Sequence, residues 1–412
     1  MQIKVTAPQG MRGRIQLPSS KSISNRALAI GALAGCGMDL VENVSDCDDT
    51  CVMRAWLKNR PATIDIGAAG TAMRFSTALL SVSEGTHIIT GSARMKQRPI
   101  GVLVDALRQL GAHVEYVEKE GYPPLRIVGN PRLAGGDVQL SGSVSSQYLS
   151  ALLMIGPNLE KGLKLVSSDK MISRPYIDMT LSVMRHFGAK ASWVDERTIV
   201  VEPVPYQQKS YRVENDWSAA SYWYEMVALS LDADAEIVLP GLFVESLQGD
   251  SHGAEVFEML GVSTEHRSED VVLRKTGRCV ERLDYDFVSM PDLAQTFVVT
   301  CCMLEVPFHF TGLQSLKIKE TDRIEALKKE MAKLGFVLED LNDSELLWNG
   351  LSSPVESPLP IDTYEDHRMA MAFAPAALRC GALLVNNPQV VSKSYPKYWE
   401  DLEAVGFEIE EI

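Results

Sequence analysis

The sequence predicts an α/β protein made of two similar halves, each holding three repeated units. Three observations carry that reading. A strand-like run feeds a short polar or charged loop and then an apolar helix six times, with loops marked at positions 20, 69, 145, 217, 292 and 366. After each of the last five loops a helix ends in an apolar residue plus glycine, and a strand follows. These ends are Leu110-Gly111, Phe187-Gly188, Leu260-Gly261, Leu334-Gly335 and Val405-Gly406, where glycine is the usual helix stop. Three loops precede residue 214 and three follow it.

In chain order, Met1-Gln2-Ile3-Lys4-Val5-Thr6 alternates like a strand, and its periodicity leaves open which half it joins. Ser19-Ser20-Lys21-Ser22 opens the first helix. Ala68-Ala69-Gly70-Thr71, preceded by Gly67, opens the second. Its glycines let backbone N–H groups approach an anion, although the loop is neither a P-loop nor GxGxxG. Ser143-Val144-Ser145-Ser146-Gln147 opens the third, and Leu149 to Met154 shows helical apolar spacing. One serine suffices for an N-cap; a second serine and a glutamine leave donors for a ligand. Leu163-Lys164-Leu165-Val166 and Glu236-Ile237-Val238-Leu239 read as strands. The polar stretch from Tyr206 to Asp216 marks a domain boundary. Asn215-Asp216-Trp217-Ser218, Met290-Pro291-Asp292 and Glu365-Asp366-His367-Arg368 open the remaining helices, and Leu327 to Leu334 is helical.

Bulk properties exclude several function classes. A chain of 412 residues exceeds one core. A net charge of −14 repels polyanions, so nucleic acid is not the expected partner. A local basic pocket can still win over a distributed acidic surface when the Debye length is roughly 8 Å. No run approaches the roughly 18 apolar residues of a membrane helix, and no signal-peptide apolar region follows Met1. The seven cysteines, with Cys301 and Cys302 adjacent in an apolar helix, read as reduced. A cytoplasmic location is expected. No metal-ligand pattern is present, so no metal is expected.

The cations gather beside the loops. Lys21 and Arg26 flank the first helix start, Arg74 follows Gly70-Thr71, and Arg94-Met95-Lys96-Gln97-Arg98 is a cluster. Lys319 and Arg323 bracket Glu320-Thr321-Asp322, Arg368 follows His367, and Lys393 lies in Ser392-Lys393-Ser394. Singly, each is an ordinary surface charge. Jointly they point to a ligand with at least two anionic groups, because helix N-termini, Arg forks and Lys point charges all favour phosphate and carboxylate. Asp292 is either an N-cap or a proton-transfer group. Glu320, held between Lys319 and Arg323, is the second such candidate, and His367 a third.

These motifs resemble the 3-phosphoshikimate 1-carboxyvinyltransferase (EPSP synthase) family along essentially the whole chain. The resemblance rests on Pro18-Ser19-Ser20-Lys21-Ser22-Ile23-Ser24-Asn25-Arg26, Ala69-Gly70-Thr71-Ala72-Met73-Arg74, Arg94 to Gly101, Ser145-Ser146-Gln147 and Ser173-Arg174-Pro175-Tyr176. Lys319-Glu320-Thr321-Asp322-Arg323, Asp366-His367-Arg368-Met369-Ala370 and Lys393-Ser394-Tyr395-Pro396 continue it. It implies a two-domain inside-out α/β barrel of six βαβαββ units. Residues 1–18 and 215–412 would form one domain and 19–214 the other, with the active site in the cleft between them. It implies transfer of the enolpyruvyl group of phosphoenolpyruvate to the 5-hydroxyl of shikimate 3-phosphate in aromatic amino acid biosynthesis, through a tetrahedral intermediate and without a cofactor. Shikimate 3-phosphate contacts would be Lys21, Ser22, Arg26, Ser145, Ser146, Gln147, Ser173, Tyr176, Asp292, Ser315 and Lys319. Phosphoenolpyruvate contacts would be Lys21, Gly70, Thr71, Arg98, Gln147, Arg323, Arg368 and Lys393. Catalysis would fall to Asp292, Glu320 and Lys21, in a monomer.

Two positions depart from the family pattern. Ala68 stands where an asparagine is usual, which removes an amide beside the phosphoenolpyruvate contacts. Ser315 stands where an asparagine often meets shikimate phosphate, so that contact is shortened or water-bridged. Two alternatives remain: the related transferase acting on UDP-N-acetylglucosamine, whose loop cysteine has no evident counterpart, and a non-catalytic anion-binding relative, which retention of Asp292 and Glu320 disfavours.

Overall fold

Helices that are apolar on every side cannot sit on a surface, and this chain has several. In the Trp217–Leu229 helix every residue but Ser218 is buried; all of Ala294–Met303 and all of His367–Phe373 are buried. The structure, a computed structural model, describes every residue except 37, 142–144, 170, 172–173, 269 and 356–359. The candidate Ser173, and Ser143 and Val144 of the third loop, lie outside the described residues. The chain divides into two compact units, Met1–Pro18 with Asn215–Ile412, and Ser19–Glu214.

Within Ser19–Glu214, the Lys21–Leu33, Gly70–Ser81 and Ser146–Ile155 helices pack on one another. Small residues in Ala27-Leu28-Ala29-Ile30-Gly31 allow that close approach. The amphipathic helices Asp48–Asn59, Gly101–Gln109 and Arg174–His186 lie outside them, each with polar residues toward solvent. In the other unit, Trp217–Leu229 and His367–Phe373 both pack on Ala294–Met303. Phe297 stacks on Phe257 at 4.3 Å and meets Phe287 at 5.3 Å, and Phe287 meets Phe310 at 4.8 Å. Truncating Phe297 to alanine would cost about 3–5 kcal/mol, because this core leaves nothing to fill the void.

One sheet pattern recurs. Thr63–Asp65 runs parallel to Thr86–Thr90, which pairs antiparallel with Leu125–Val128, which pairs antiparallel with His113–Tyr116. The same order of one parallel and two antiparallel pairings appears for the sheets containing Leu163–Ser167, Glu236–Pro240 and Phe308–Thr311. The strand Gln2–Thr6 lies between Ala382–Asn386 and Glu408–Glu411, antiparallel to both. Parallel neighbours need a crossover; for Thr63–Asp65, Gly136–Leu140 and Leu283–Asp286 it contains a buried helix, whereas Arg12–Arg14 reaches its parallel partner Glu236–Pro240 only after the whole Ser19–Glu214 unit.

All five helix-ending glycines take positive φ: +96° at Gly111, +89° at Gly188, +86° at Gly261, +89° at Gly335 and +99° at Gly406. That is the left-handed region a Cβ disfavours. One detail differs from the sequence expectation. The helix ends at Met259 and the strand already begins at Leu260, so Gly261 is inside the strand, where the register shifts between Leu260 and Val262. The bulge uses the same backbone freedom that a cap would. Among the described residues no helix is long and apolar enough to cross a membrane.

Candidate active site

Every loop marked in the sequence stands at a helix N-terminus. Ser20, Ala69, Ser145, Asp216 and Asp366 are N-cap residues, and Pro291–Leu293 is a short 3-10 turn leading into Ala294–Met303. Ser20 Oγ accepts from Ile23 N at 3.4 Å, and Ser145 Oγ accepts from Gln147 N at 3.4 Å. Ser145 therefore does serve as a cap, while Ser146 begins the helix.

In the Ser19–Glu214 unit, Gln147 Nε2 donates to Thr71 Oγ1 at 3.2 Å, which joins two of the helix openings. Arg98 lies directly over Gly70: a Cβ there would sit 2.8 Å from its Nη1. The loop carrying Arg98 is anchored at Pro99, whose carbonyl accepts from Tyr148 Oη at 2.6 Å and from Arg74 Nη2 at 3.4 Å. Arg74 also donates to Gly70 O at 3.0 Å. Buried to 4% exposure, Arg74 fixes the loop geometry from beneath. Lys96 pairs with Glu118 at 2.7 Å on the surface.

Arg26 is also turned inward. At 2% exposure it donates to Thr180 Oγ1 at 2.7 Å, Ser22 O at 2.8 Å, Ser150 Oγ at 3.2 Å and Tyr176 O at 3.3 Å. Burial lowers its pKa to about 10. It ties Ser22 and Tyr176, two expected ligand contacts, to one point. Lys21 is the first residue of its helix and is partly exposed, and its charge helps to hold down the pKa of the buried Cys47 thiol, which burial raises.

The other unit holds a denser cluster. Arg323, 1% exposed, starts the Arg323–Lys333 helix and serves three carboxylates. Its Nε donates to Asp366 Oδ2 at 2.7 Å, with a second bond from Nη2 to Asp366 Oδ1 at 3.2 Å. Nη1 donates to Asp292 Oδ1 at 3.2 Å and Nη2 to Glu320 Oε2 at 3.1 Å. Burial opposes the guanidinium charge, but Asp366, Glu320 and Asp292 outweigh it and raise its pKa. Asp292 Oδ2 accepts from Arg368 Nη2 at 2.8 Å, and Lys319 Nζ lies 3.5 Å from Asp292 Oδ1. Asp292, Glu320 and Lys319 keep side-chain exposures of 18%, 19% and 28%, so these three face outward from a buried base.

Several expected residues behave differently. Ser315 Oγ is sealed from solvent with no hydrogen-bond partner; a substrate contact there would need its segment to open. His367 is 2% exposed, its Nδ1 3.6 Å from Asp366 Oδ1. Lys393 Nζ donates to Glu365 O at 3.0 Å. Ala68 is exposed.

The structure adds residues that the sequence did not single out. Asp366 is the bidentate partner of Arg323 and also accepts from Arg368 N at 2.9 Å; its signal was its place at a helix start. Tyr222, in the middle of an apolar helix, reaches Arg368 Nη1 with its hydroxyl at 3.4 Å. Asp250 is 5% exposed; Ser218 Oγ donates to its Oδ2, and its Oδ1 has no partner. Burial pushes its pKa up to about 7, and the charge of Asp292 adds to the rise. Neither Tyr222 nor Asp250 belongs to any local pattern.

The architecture has close counterparts. An EPSP synthase from Acinetobacter baumannii matches at a TM-score of 0.79 over all of both chains, at 20% identity. The enolpyruvyl transferase NikO from Streptomyces tendae matches at 0.73, at 15% identity, over 99% of this chain and 98% of that one. Fold and site thus define a protein of the enolpyruvyl transferase fold.

The sequence comparisons are narrower. The family model described as EPSP synthase (3-phosphoshikimate 1-carboxyvinyltransferase) matches residues 53–402. A 3-phosphoshikimate 1-carboxyvinyltransferase of Bacteroides fragilis is 60% identical over 99% of each chain, and one of Vibrio campbellii is 36% identical over 96% of this chain and 97% of its own. The chain belongs to the EPSP synthase family.

Proposed function

We propose that this chain transfers the enolpyruvyl group of phosphoenolpyruvate to the 5-hydroxyl of shikimate 3-phosphate and releases phosphate. The observation that carries the site assignment is the setting of Asp292. One carboxylate, still partly exposed, is touched by Arg323, Arg368 and Lys319, with Glu320 on another branch of the same Arg323 fork. Three cations orient the Asp292 carboxylate and leave one face of it toward the outside, where an acceptor hydroxyl could approach. They also provide the positive field that two anionic substrates need.

On this reading Glu320, assisted by Lys21, delivers a proton to the methylene carbon of phosphoenolpyruvate. The 5-hydroxyl oxygen adds to the adjacent carbon as Asp292 takes the hydroxyl proton. The tetrahedral adduct then loses a proton from the new methyl group and expels phosphate, restoring the double bond. Arg323, Arg368, Lys393, Lys21 and Arg98 hold the phosphoenolpyruvate anion, with Gly70, Thr71 and Gln147 at its loop. Ser22, Arg26, Ser145, Ser146, Gln147, Ser173, Tyr176, Ser315 and Lys319 orient shikimate 3-phosphate. Holding two like-charged molecules in contact makes their encounter effectively intramolecular. The enzyme is read as a monomer of the cytoplasm; its seven free cysteines support a reducing compartment.

Phosphate release tests the proposal. It should need both phosphoenolpyruvate and shikimate 3-phosphate, and it should not occur when UDP-N-acetylglucosamine replaces the second. Equal release with UDP-N-acetylglucosamine, or none with shikimate 3-phosphate, would contradict it.

A further inference from the structure

The helix that begins at Arg323 carries a buried carboxylate, two turns further on, that the reaction does not use. Glu330 is fully buried. Its Oε2 accepts from Asp362 N at 2.9 Å and its Oε1 from the Tyr364 hydroxyl at 2.5 Å, with Lys333 Nζ 2.7 Å from Oε2. Lys333 also donates to Asp362 Oδ2 at 2.8 Å and Pro360 O at 2.9 Å, and Asn386 Nδ2 donates to Asp362 Oδ1 at 2.7 Å. A buried ion pair is poor value for stability, since a well-packed apolar pair of similar volume often does as well. The geometry gives a better account of it.

Tyr364 and Glu365 take φ of +53° and +57°. Two successive non-glycine residues in the left-handed region are strained, and such strain persists only where the surroundings over-determine it. Here one helix grips both sides of the turn. Glu330 holds the backbone of Asp362 before it and the hydroxyl of Tyr364 within it, and Arg323 holds Asp366 after it. The turn in turn sets two cations. Asp366 caps the helix that begins His367-Arg368, and Glu365 O receives Lys393 Nζ.

We propose that Glu330 and Tyr364 are positioning residues for the anion pocket: they clamp the left-handed turn that aims Arg368 and Lys393 at phosphoenolpyruvate. The inference rests on the reading of those two cations as phosphoenolpyruvate contacts. Burial and the facing Glu330 carboxylate raise the Tyr364 pKa, so its hydroxyl remains a donor to Glu330 across the working range.

Tyr364→Phe in the full-length enzyme tests this. It deletes one hydroxyl from a half-buried ring and leaves the fold intact. The KM for phosphoenolpyruvate should rise about fivefold or more, while the KM for shikimate 3-phosphate stays within twofold. A purely structural role would lower the thermal midpoint and leave both KM values alone. An unchanged phosphoenolpyruvate KM, or an equal rise in both, overturns the proposal. Arg368→Lys, measured alongside, separates the two levels. If it raises the phosphoenolpyruvate KM when Tyr364→Phe does not, the clamp alone is wrong. If neither variant raises it, the reading of the pocket fails along with the clamp.

Discussion

Gly70→Ala is a one-carbon test of the loop proposed to face phosphoenolpyruvate. Gly70 is the first residue of its helix, and its φ is outside the left-handed region, so alanine fits the backbone. The obstacle is Arg98. A Cβ would lie 2.8 Å from Nη1, 3.1 Å from Nη2 and 3.2 Å from Cζ. Reaching an ordinary contact near 3.4 Å requires Arg98 to retreat by about 0.6 Å. The clash falls on the free end of a flexible side chain, so stability should change little; replacing glycine at a compatible position is worth at most about 1 kcal/mol, in the stabilising direction. Binding should change more. A retreat of that size lengthens a charge-assisted hydrogen bond beyond useful range, and such bonds contribute about 1.5–3 kcal/mol. At 1.4 kcal/mol per decade, the phosphoenolpyruvate KM should rise about 10- to 150-fold. Steady-state kinetics with each substrate varied, beside a thermal melt, would measure both effects. A phosphoenolpyruvate KM within twofold of the parent would refute the placement of Arg98, as would an equal loss for shikimate 3-phosphate.

Three other perturbations extend the test. Asp292→Asn should retain substrate binding, seen by calorimetry, and lower kcat by roughly 10²–10⁴, the usual worth of a positioned acid–base group; near-normal turnover would remove it from proton transfer. Arg98→Lys should weaken phosphoenolpyruvate more than shikimate 3-phosphate in calorimetric titrations, because a fork is exchanged for a point charge. Asp250 should make stability depend on pH. Its folded pKa of about 7 lies above the unfolded value near 3.9, so the folded state binds the extra proton. The stabilisation is complete below about pH 4 and is lost as pH rises through about 7. Asp250→Asn should therefore gain on the parent across that window, by up to about 4 kcal/mol; parallel melting curves from pH 5 to 8 would show that Asp250 is not the titrating group.

Local signals made much of the architecture legible. The five glycines at Gly111, Gly188, Gly261, Gly335 and Gly406 were readable because one backbone region excludes a Cβ, and all five occupy it. Helix openings at Ser20, Ser145, Asp216 and Asp366 were readable because an N-cap is a short-range hydrogen bond. The N-terminal strand was legible as a strand but its place was not, since Gln2–Thr6 pairs with strands at the far end of the chain and nothing nearby encodes that partner.

Among the site residues, sequence spacing could locate a cation but not its direction. Arg26 and Arg74 point into the interior, where carbonyl and hydroxyl oxygens replace water. Tyr222 and Asp250 were invisible because their roles come from tertiary neighbours alone. Nothing local in the sequence marks Glu330 out, and only its partners Asp362 and Tyr364 give it a task.

A crystal structure with phosphoenolpyruvate or an unreactive analogue and shikimate 3-phosphate bound addresses the central claim most directly. The account predicts one phosphoenolpyruvate-derived anion touched at once by Lys21 and Arg98 from residues 19–214 and by Arg368 and Lys393 from residues 215–412, with Asp292 within hydrogen-bond reach of the acceptor 5-hydroxyl. An anion held by one of these sets alone, with Asp292 remote from that hydroxyl, would contradict it.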